Sequence, residues 1–369
     1  MKSSPYFLCA LLTLFLLTAC ASTIDNSIEN VMVTDLVGRE VAVPVEVDRV
    51  VAIGPGALRF YVYAGNLDYV VGVEQVETDN VHFKPYMLAH PDLANLPIIG
   101  LGGPSNAPDP EKLLVVDPDI IFSTYTRDTS TVDELQAKTG IPVIVLNYGG
   151  SGFGTSPIFD KNVQDSLMLI GQLSGSIDKA RAAADFILQS QQDLTNRVYE
   201  IPDDEKPTVY VGGLGSKGTH GIESTQGNYP LLDVIQAQNV VDETGKSYSI
   251  LLDKEKLLDW DPDYIFIDQG GYAAILEDYQ QNSEFYTSLS AVQNDRVYAQ
   301  LPYNYYNTNL GTAIANAYYL GKILYPLEFA DIDPERKADE IYQNLVGQAV
   351  YDELTATYGG FGKLTLGEP

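Results

Sequence analysis

The chain has 369 residues, of which 45% are hydrophobic and 20% charged, an ordinary balance for a globular protein. Its 50 Asp and Glu residues against 22 Lys and Arg residues give a formal net charge of −28. A surface this acidic repels phosphate backbones and anionic lipid headgroups. The composition therefore excludes nucleic-acid binding and adhesion to membranes through basic patches.

The first twenty residues have the features of an export signal. Lys2 precedes an apolar run over 7–17 that is too short to span a bilayer, and small residues follow it. Residues 1–19 are therefore predicted to be a signal peptide. The Leu-Thr-Ala-Cys sequence ending at Cys20 resembles a bacterial lipobox, which implies lipid on the Cys20 sulfur and a polar tether over 20–30. An ordinary secretory signal with an incidental cysteine is the alternative.

The chain contains two cysteines, Cys9 and Cys20. Cys9 would leave with the signal peptide and Cys20 would be acylated. The mature protein is then expected to have no free thiol, no disulfide and no thiolate metal site.

Apolar segments rich in β-branched residues alternate with helical patterns along the rest of the chain. Continuous apolar runs are typical of strands covered on both faces, and their alternation with helices predicts an α/β fold with mostly parallel sheets. The predicted strands are 50–53, 69–73, 120–122, 143–146, 209–211 and 264–267.

One segment occurs twice. Residues 109–122 recur at 253–266 with ten of fourteen positions identical, an offset of 144 residues. Each copy predicts a short helix capped by Asp, with a Leu-Leu pair facing the core, then an Asp-Pro-Asp turn and a buried strand. This spacing indicates two similar lobes rather than a short-period solenoid.

A long helix is predicted between the two copies, over 176–198, with Ser176 as its N-cap. Twenty-three residues at ~1.5 Å each span roughly 34 Å, which is enough to bridge two lobes. A final helix begins at Asp333-Pro334 and is expected to end at Gly359-Gly360. The predicted organisation is an N-terminal α/β lobe over 31–160, linking helices over 161–200, and a C-terminal α/β lobe with a terminal packing helix over 201–369.

These features together resemble the iron-complex and cobalamin substrate-binding proteins of ABC importers. The resemblance covers most of residues 31–360 and is carried by the lipobox, the segment 35–44, the Arg-Val-Val-Ala-Ile sequence at Arg49, the two repeat units and the single long helix. It implies two Rossmann-like lobes joined by one long α-helix, with the ligand in the cleft between them. It also implies delivery of that ligand to a permease and ATPase complex by an extracytoplasmic, lipid-anchored protein, which we expect to be a monomer without a cofactor.

Members of this family bind ferric siderophores, haem or cobalamin and, in a smaller branch, molybdate or tungstate. An iron complex or cobalamin is the first expectation for this chain, and an oxyanion is the alternative. The resemblance further implies a docking acid on the first helix of each lobe. Asp233 falls near that place in the second lobe, but Arg59 stands there in the first, where it is either a ligand contact or a differently paired surface residue.

Ligands of parallel α/β sheets lie beyond the carboxyl ends of the strands, so the loops that follow strands hold the candidate site. Tyrosines there would stack on a flat ligand or donate hydrogen bonds from their hydroxyls to an oxyanion. Basic residues are scarce in this chain, yet Arg59, Arg127 and Lys217 fall on these predicted loops, which indicates an anionic ligand. Each residue could instead serve an ion pair, a tight turn or the core. The candidate ligand-binding residues are Arg59, Tyr125, Arg127, Lys217, His220, Gln269, Tyr303, Asn304, Tyr305 and Tyr306.

Other classes of protein find little support in the sequence. Abundant acids could supply a carboxylate pair for a glycoside or ester hydrolase, but no nucleophile elbow, zincin helix or P-loop occurs. A surface adhesin is a third alternative. The isolated His82 and His90 do not form a metal pair, so no metal site is predicted, and we expect no enzyme activity.

Overall fold

The computed structural model describes residues 29–103, 106–125, 129–149, 158–215 and 218–367. The predicted signal peptide lies outside the described residues, as do Cys20, Arg127 and Lys217. Within the described ranges, no helix is both long enough and apolar enough to cross a membrane.

The strands are short and most are buried. In chain order they are β1 (Asn30–Thr34), β2 (Glu40–Pro44), β3 (Val50–Ile53), β4 (Val70–Gly72), β5 (Ile120–Ser123), β6 (Val143–Val145), β7 (Thr208–Gly212), β8 (Ser224–Gln226), β9 (Gln238–Asn239), β10 (Ser249–Leu251), β11 (Tyr264–Asp268), β12 (Val297–Gln300) and β13 (Gly362–Lys363).

The α-helices range from single turns to a six-turn helix. In chain order they are α1 (Ala57–Ala64), α2 (Gln75–Thr78), α3 (Pro85–Ala89), α4 (Pro110–Val116), α5 (Thr129–Thr139), α6 (Lys161–Leu173), α7 (Ile177–Val198), α8 (Pro230–Val234), α9 (Lys254–Trp260), α10 (Tyr272–Gln281), α11 (Ser283–Ser288), α12 (Ser290–Gln293), α13 (Leu310–Leu324), α14 (Pro334–Val346) and α15 (Tyr351–Tyr358). Short 3-10 helices cover Leu67–Tyr69, Val81–Phe83, Pro91–Asn95, Asp203–Glu205 and Val240–Thr244.

Two parallel sheets with the same strand order form two lobes. The sheet of the N-terminal lobe has the order β4-β3-β5-β6, and that of the C-terminal lobe has the order β9-β7-β11-β12, followed by the antiparallel edge strand β13. In each lobe the first strand pairs with the second and third strands of its own sheet. The predicted α/β fold with mostly parallel sheets is confirmed.

The two copies of the repeat form the same local structure, α4–β5 and α9–β11. The Asp109 carboxylate accepts a hydrogen bond from Lys112 N at 3.2 Å, and the Asp253 carboxylate accepts one from Glu255 N at 3.1 Å. Each helix therefore has the predicted Asp cap, because that carboxylate satisfies a backbone N–H of the first turn.

The Leu-Leu pair of the repeat does not face the core as a pair, so that prediction is wrong for its second member. Leu113 and Leu257 are buried, but Leu114 is 50% exposed and Leu258 is 38% exposed. Consecutive residues of a helix point about 100° apart, so a two-turn helix lying on a sheet buries only one of two adjacent side chains.

One apolar core is shared by both lobes. It lies between the two sheets and includes Phe60 of α1, Ile187 of α7, Leu320 of α13 and Leu345 of α14. Two smaller cores cover the outer face of each sheet separately. Because burial of apolar surface is the main stabilising term in folding, separating the lobes would expose this central core.

The helix α7 is fastened at both ends. Ser176 occupies the predicted N-cap position, but its hydroxyl donates to Ala64 O at 2.8 Å and makes no cap hydrogen bond to the first turn. At the other end Arg197 is paired with Asp193 at 2.9 Å and with Asp331 at 2.6 Å. These contacts hold the linking helix against both lobes.

The C-terminal segment forms two helices rather than the single predicted one. Gly347, with φ +83°, ends α14, and α15 begins at Tyr351. The end of α14 lies against the N-terminal lobe, where Val346 O is 2.7 Å from His90 Nε2. The terminal helices thus join the lobes a second time, as well as packing on the C-terminal lobe.

Candidate functional site

The carboxyl ends of the two sheets face each other. Loop 301–309, which follows β12, contacts the turn that follows β3, where Asn307 Nδ2 donates to Pro55 O at 3.3 Å. We call this contact between loop 301–309 and residues 54–59 and 74–84 the seam. It brings loops of both lobes together, as expected for a ligand site in this topology.

The turn after β3 is built from glycines because other residues approach it closely. Gly54 and Gly56 have φ of +90° and +84°. A Cβ atom on Gly56 would lie 2.2 Å from the Tyr148 hydroxyl oxygen, which leaves no room for a side chain. The Gly54 N–H donates to Glu74 Oε2 at 2.9 Å, so this donor is used inside the protein.

Arg59 lies at the centre of the seam and is fully buried. Its Nη1 atom donates to Thr308 O at 2.7 Å and to the Tyr148 hydroxyl at 3.0 Å. Its Nη2 atom donates to Tyr305 O at 3.0 Å and to Tyr306 O at 3.2 Å. The alternative of an exposed, differently paired residue is therefore wrong, and a ligand contact by Arg59 stays a prediction.

The charge of Arg59 is not neutralised by an ion pair with any described residue. Burial alone would lower its pKa, but neighbouring Tyr148, Tyr86 and Glu77 raise the pKa well above its usual range, so the guanidinium stays charged. Its Nε atom is buried without a hydrogen-bond partner among the described residues. Buried charges are normally compensated, so this arrangement is unusual.

A second buried cation lies beside it. Lys84 donates through Nζ to three main-chain carbonyls, those of Val76, Glu77 and Asp79. Burial lowers the pKa of Lys84 to about 8. The neighbouring Glu77 is fully buried and accepts a hydrogen bond from the Tyr86 hydroxyl at 2.5 Å. Lys84 thereby fixes the N-terminal-lobe loop that forms one side of the seam.

A polar cluster crosses the seam at Tyr306. Its hydroxyl donates to Glu74 Oε2 at 2.7 Å and accepts a hydrogen bond from Gly103 N at 3.0 Å. The Tyr125 hydroxyl donates to Gly103 O at 3.4 Å. Burial raises the pKa of Glu74 to about 7, and burial together with the nearby Glu74 raises the pKa of Tyr306 and Tyr125. Two candidate tyrosines are thus brought together and kept protonated.

Tyr305 packs within the seam instead of presenting an open face. Its ring stacks on Phe83 with centroids 4.7 Å apart and planes 4° apart. Its hydroxyl accepts a hydrogen bond from Asn80 Nδ2 at 3.0 Å. The stacking that we expected against a flat ligand is made with Phe83.

Tyr303 and Asn304 are members of loop 301–309 that pack toward the C-terminal lobe and the loop itself. Tyr303 is fully buried and meets Tyr229 edge-on, with ring centroids 6.2 Å apart, so its ring is not accessible to a ligand in this arrangement. Asn304 is half-buried and forms a β-bridge with Thr308 across the loop. These two residues shape loop 301–309 from within.

The C-terminal lobe contributes the loop after β11. Gln269 donates through Nε2 to Gly360 O at 2.9 Å, so its side chain points to the terminal segment. The buried Asp268 accepts a hydrogen bond from Gly270 N at 2.9 Å, and burial raises its pKa to about 7. His220 is half-buried, and its carbonyl would lie 2.5 Å from a Cβ atom on Gly271. The His220 and Gln269 loops therefore pack against each other.

The predicted docking residue Asp233 and the residue at the corresponding place in the first lobe, Arg59, differ in burial. Asp233 is exposed on α8, whereas Arg59 is buried on α1, although both helices follow the first parallel strand of their sheet. Docking through Asp233 stays a prediction.

Three residues in or against the seam were missed by the sequence analysis: Glu74 and Phe83 within it, and Tyr148, which contacts Arg59 and Gly56. Glu74 and Tyr148 follow predicted strands, and the rule that located Tyr125 would also have found them. Phe83 carries no such signal, because it lies in an irregular segment between α2 and α3.

Comparison with known proteins identifies the family. The family model described as periplasmic binding protein matches residues 67–302. The chain belongs to this family. The resemblance to iron-complex and cobalamin binding proteins is thus confirmed, and the family consists of extracytoplasmic solute-binding proteins of ABC transport rather than enzymes.

Individual relatives are distant in sequence. The molybdate-binding protein MolA of Haemophilus influenzae is 23% identical over 345 residues, covering 89% of this chain and 95% of MolA. Its molybdate-bound structure has a TM-score of 0.65 at 20% identity and covers 86% of this chain and 98% of MolA. A periplasmic solute-binding protein of Veillonella parvula has a TM-score of 0.69 at 18% identity, covering 89% and 97%. A variant of the haem-binding protein HmuT has a TM-score of 0.53 at 17% identity, covering 80% and 86%.

Proposed function

We propose that this protein captures a small oxyanion, with molybdate as the leading candidate, in the cleft between its lobes and delivers it to an ABC permease and ATPase complex. The observation that carries this proposal is the buried guanidinium of Arg59, which lies at the seam without an ion-pair partner among the described residues. A positive charge in a water-poor cleft attracts an anion more strongly than one on the surface.

The charge balance of the seam supports an anionic ligand. Arg59 and Lys84 contribute two positive charges, and the acids Glu77 and Asp79 oppose them. Glu74 has a pKa of about 7 and is neutral when protonated. The seam is then close to neutral on a chain whose formal net charge is −28, so an anion meets less repulsion here than over the acidic surface as a whole. The predicted ligand residues Arg127 and Lys217, on predicted cleft loops, would add positive charge to it.

The hydroxyl groups support the same class of ligand. Because the pKa of Tyr125 and of Tyr306 is raised, both phenols remain protonated. The Tyr306 proton is donated to Glu74, whereas the Tyr125 hydroxyl contacts Gly103 O and Asn106 O at 3.4 Å each and can turn to donate to a ligand. Oxyanion oxygens are acceptors and match such donors. Molybdate is the ligand of MolA, the relative that matches nearly the full length of this chain.

An iron complex or cobalamin is the second candidate. Its support is the family itself and the similarity to the haem-binding protein HmuT. The oxygen atoms of Glu74, Tyr125 and Tyr306 would suit ferric iron if the phenols ionised, which their raised pKa opposes. The rings of Tyr303 and Tyr305 pack on Tyr229 and Phe83, which disfavours stacking on a flat tetrapyrrole.

The way the protein reaches its permease also belongs to this proposal. Lipid on Cys20 would hold it beside the membrane, with residues 20–30 as a tether, and Asp233 on α8 is the proposed contact with the permease. His220 and Gln269 would line the C-terminal wall of the cleft. The support for the anchor is the apolar run and the Leu-Thr-Ala-Cys sequence at its end.

Isothermal titration of the unlipidated chain beginning at Ala21 tests the ligand. Sodium molybdate and tungstate are compared with sulfate, a ferric siderophore, haemin and cyanocobalamin. Binding of molybdate or tungstate at micromolar concentration or below is expected. Binding of a ferric complex, haemin or cobalamin without molybdate would replace the oxyanion with the second candidate, and no binding of any would contradict both.

A further inference from the structure

Loop 301–309 contains two adjacent residues in an unfavourable backbone conformation. Tyr306 has φ +48° and Asn307 has φ +71°. Side chains with a Cβ atom rarely adopt this left-handed region, and two in succession are less favourable still. Such conformations persist only where surrounding contacts hold them.

The contacts that hold this turn come largely from the opposite lobe. Arg59 donates to the carbonyls of Tyr305, Tyr306 and Thr308, which flank or belong to the left-handed pair. The Glu74 carboxylate accepts a hydrogen bond from the Tyr306 hydroxyl at 2.7 Å. A wall of the cleft that belongs to the C-terminal lobe is thus shaped by side chains of the N-terminal lobe.

We propose that Arg59, instead of contacting the ligand as the sequence predicted, is a positioning residue that holds loop 301–309 in its ligand-binding conformation. The claim that this loop conformation binds the ligand rests on the proposed function, whereas the claim that Arg59 holds the loop does not. Arg59 is fully enclosed, and its two terminal nitrogens contact only the Tyr148 hydroxyl and main-chain oxygens among the described residues.

The planar guanidinium is what makes this hold possible. Its two terminal nitrogens reach four acceptors in fixed directions, so three carbonyls of one loop are gathered around one side chain. A lysine ammonium is a compact charge with no such fork. The conservative substitution Arg59→Lys should therefore keep the charge and release the loop.

Hydrogen exchange of the ligand-free protein, followed by mass spectrometry, tests the hold on the loop. Arg59→Lys is expected to raise the exchange rate of amides in 301–309 about tenfold, with amides of β7 and β11 unchanged. The matched control is Arg49→Lys, because Arg49 also donates to two main-chain carbonyls, of Val116 and Asp117, but within the N-terminal lobe. Unchanged loop exchange in Arg59→Lys, or an equal rise in Arg49→Lys, would overturn the inference.

A measurement on the unmutated protein decides the case if Arg59→Lys does not fold. In ¹⁵N-arginine-labelled protein, the Arg59 guanidinium protons should have the same protection factor as the loop 301–309 amides, each relative to the intrinsic exchange rate of its own proton type, because opening of the loop exposes both. Loop amides with protection about tenfold lower than that of the Arg59 protons would show that the loop opens without Arg59, and would contradict the hold.

Titration with sodium molybdate tests the claim about the ligand. Arg59→Lys should weaken molybdate binding about tenfold, because the loop must be ordered again in every binding event. A loosened loop with unchanged molybdate affinity would overturn this claim. If the unmutated protein binds neither molybdate nor tungstate, the proposed function fails, while the exchange experiments still decide whether Arg59 holds the loop.

Discussion

Asp119 and Asp263, separated by 144 positions in the chain, make equivalent contacts in the two lobes. Asp119 Oδ2 accepts hydrogen bonds from the main-chain N–H groups of Asp48 and Arg49, each at 2.9 Å, just before β3. Asp263 Oδ2 accepts them from Thr208 N at 2.9 Å and Thr208 Oγ1 at 2.7 Å, at the start of β7. The second acid of each Asp-Pro-Asp turn therefore aligns its strand with the central strand beside it.

Asp119→Ala and Asp263→Ala should each lower the free energy of unfolding by about 1 kcal/mol, because each removes acceptors from exposed or half-buried donors. Chemical denaturation measures the effect. Asp92→Ala is the control, because Asp92 is exposed, does not have a positive φ and accepts no hydrogen bond from a described residue. Equal effects of the Asp92 and Asp119 variants would contradict the strand-aligning role.

Glu74 is expected to make stability depend on pH. The folded protein raises its pKa from 4.5 to about 7, so folding is favoured by protonation. This contribution is complete below pH 4.5 and is lost as the pH rises to about 7, by up to about 3 kcal/mol. Glu74→Gln, a neutral isostere, should match the unmutated protein in melting temperature at pH 5 and exceed it at pH 8.

The pH experiment has an internal comparison. Asp268 also has a pKa raised to about 7 by burial, so Asp268→Asn should remove a second, separate part of the same pH dependence. If Glu74→Gln changes the melting temperature relative to the unmutated protein equally at pH 5 and at pH 8, burial does not destabilise the ionised carboxylate of Glu74.

Gly56→Ala should destabilise the protein by more than the ordinary cost of Ala at positive φ, which is about 1 kcal/mol. The added methyl group would lie 2.2 Å from the hydroxyl oxygen of Tyr148, a partner of Arg59. Gly140→Ala is a matched control, since Gly140 has φ +72° and no atom within 4 Å of an added Cβ. Equal losses in thermal denaturation for the two variants would exclude the steric contact.

Lobe closure on ligand binding should be small. The two lobes share a central core and are joined by α7, by α14 and by the seam, so a wide opening would expose apolar surface. Small-angle scattering should show no resolvable change in radius of gyration when molybdate saturates the protein. A large compaction would contradict the shared core as a limit on movement.

Replacing Arg127 and Lys217 together by Ala should weaken binding of an anionic ligand more than tenfold. Loss of two positive charges from the predicted cleft loops would lower the local potential that attracts it. Titration with molybdate at low and moderate salt measures the effect, and Lys112→Ala with Lys138→Ala is a surface control, because both lysines pair with exposed acids on helices. Unchanged affinity would place these residues away from the ligand.

Local patterns account for what could be predicted of the fold. The strand over 50–53 is found with the predicted bounds, and the other predicted strands differ by one or two residues at their ends. The Asp caps of the repeat are also found, because a cap satisfies backbone groups only a few residues away. The single predicted terminal helix was wrong because Gly347 ends α14 in the left-handed conformation.

The amino-acid sequence alone determined the α/β class, the duplicated lobes, the long helix and the family, because hydrophobic runs and turn residues act over short distances. Only the tertiary structure decided that Arg59 is enclosed by carbonyls of loop 301–309 and that Glu74 meets Tyr306. Arg59 and Thr308 lie 249 positions apart in the chain, and Glu74 and Tyr306 lie 232 positions apart. Burial and pKa depend on such distant neighbours, and no local pattern encodes which of them will meet.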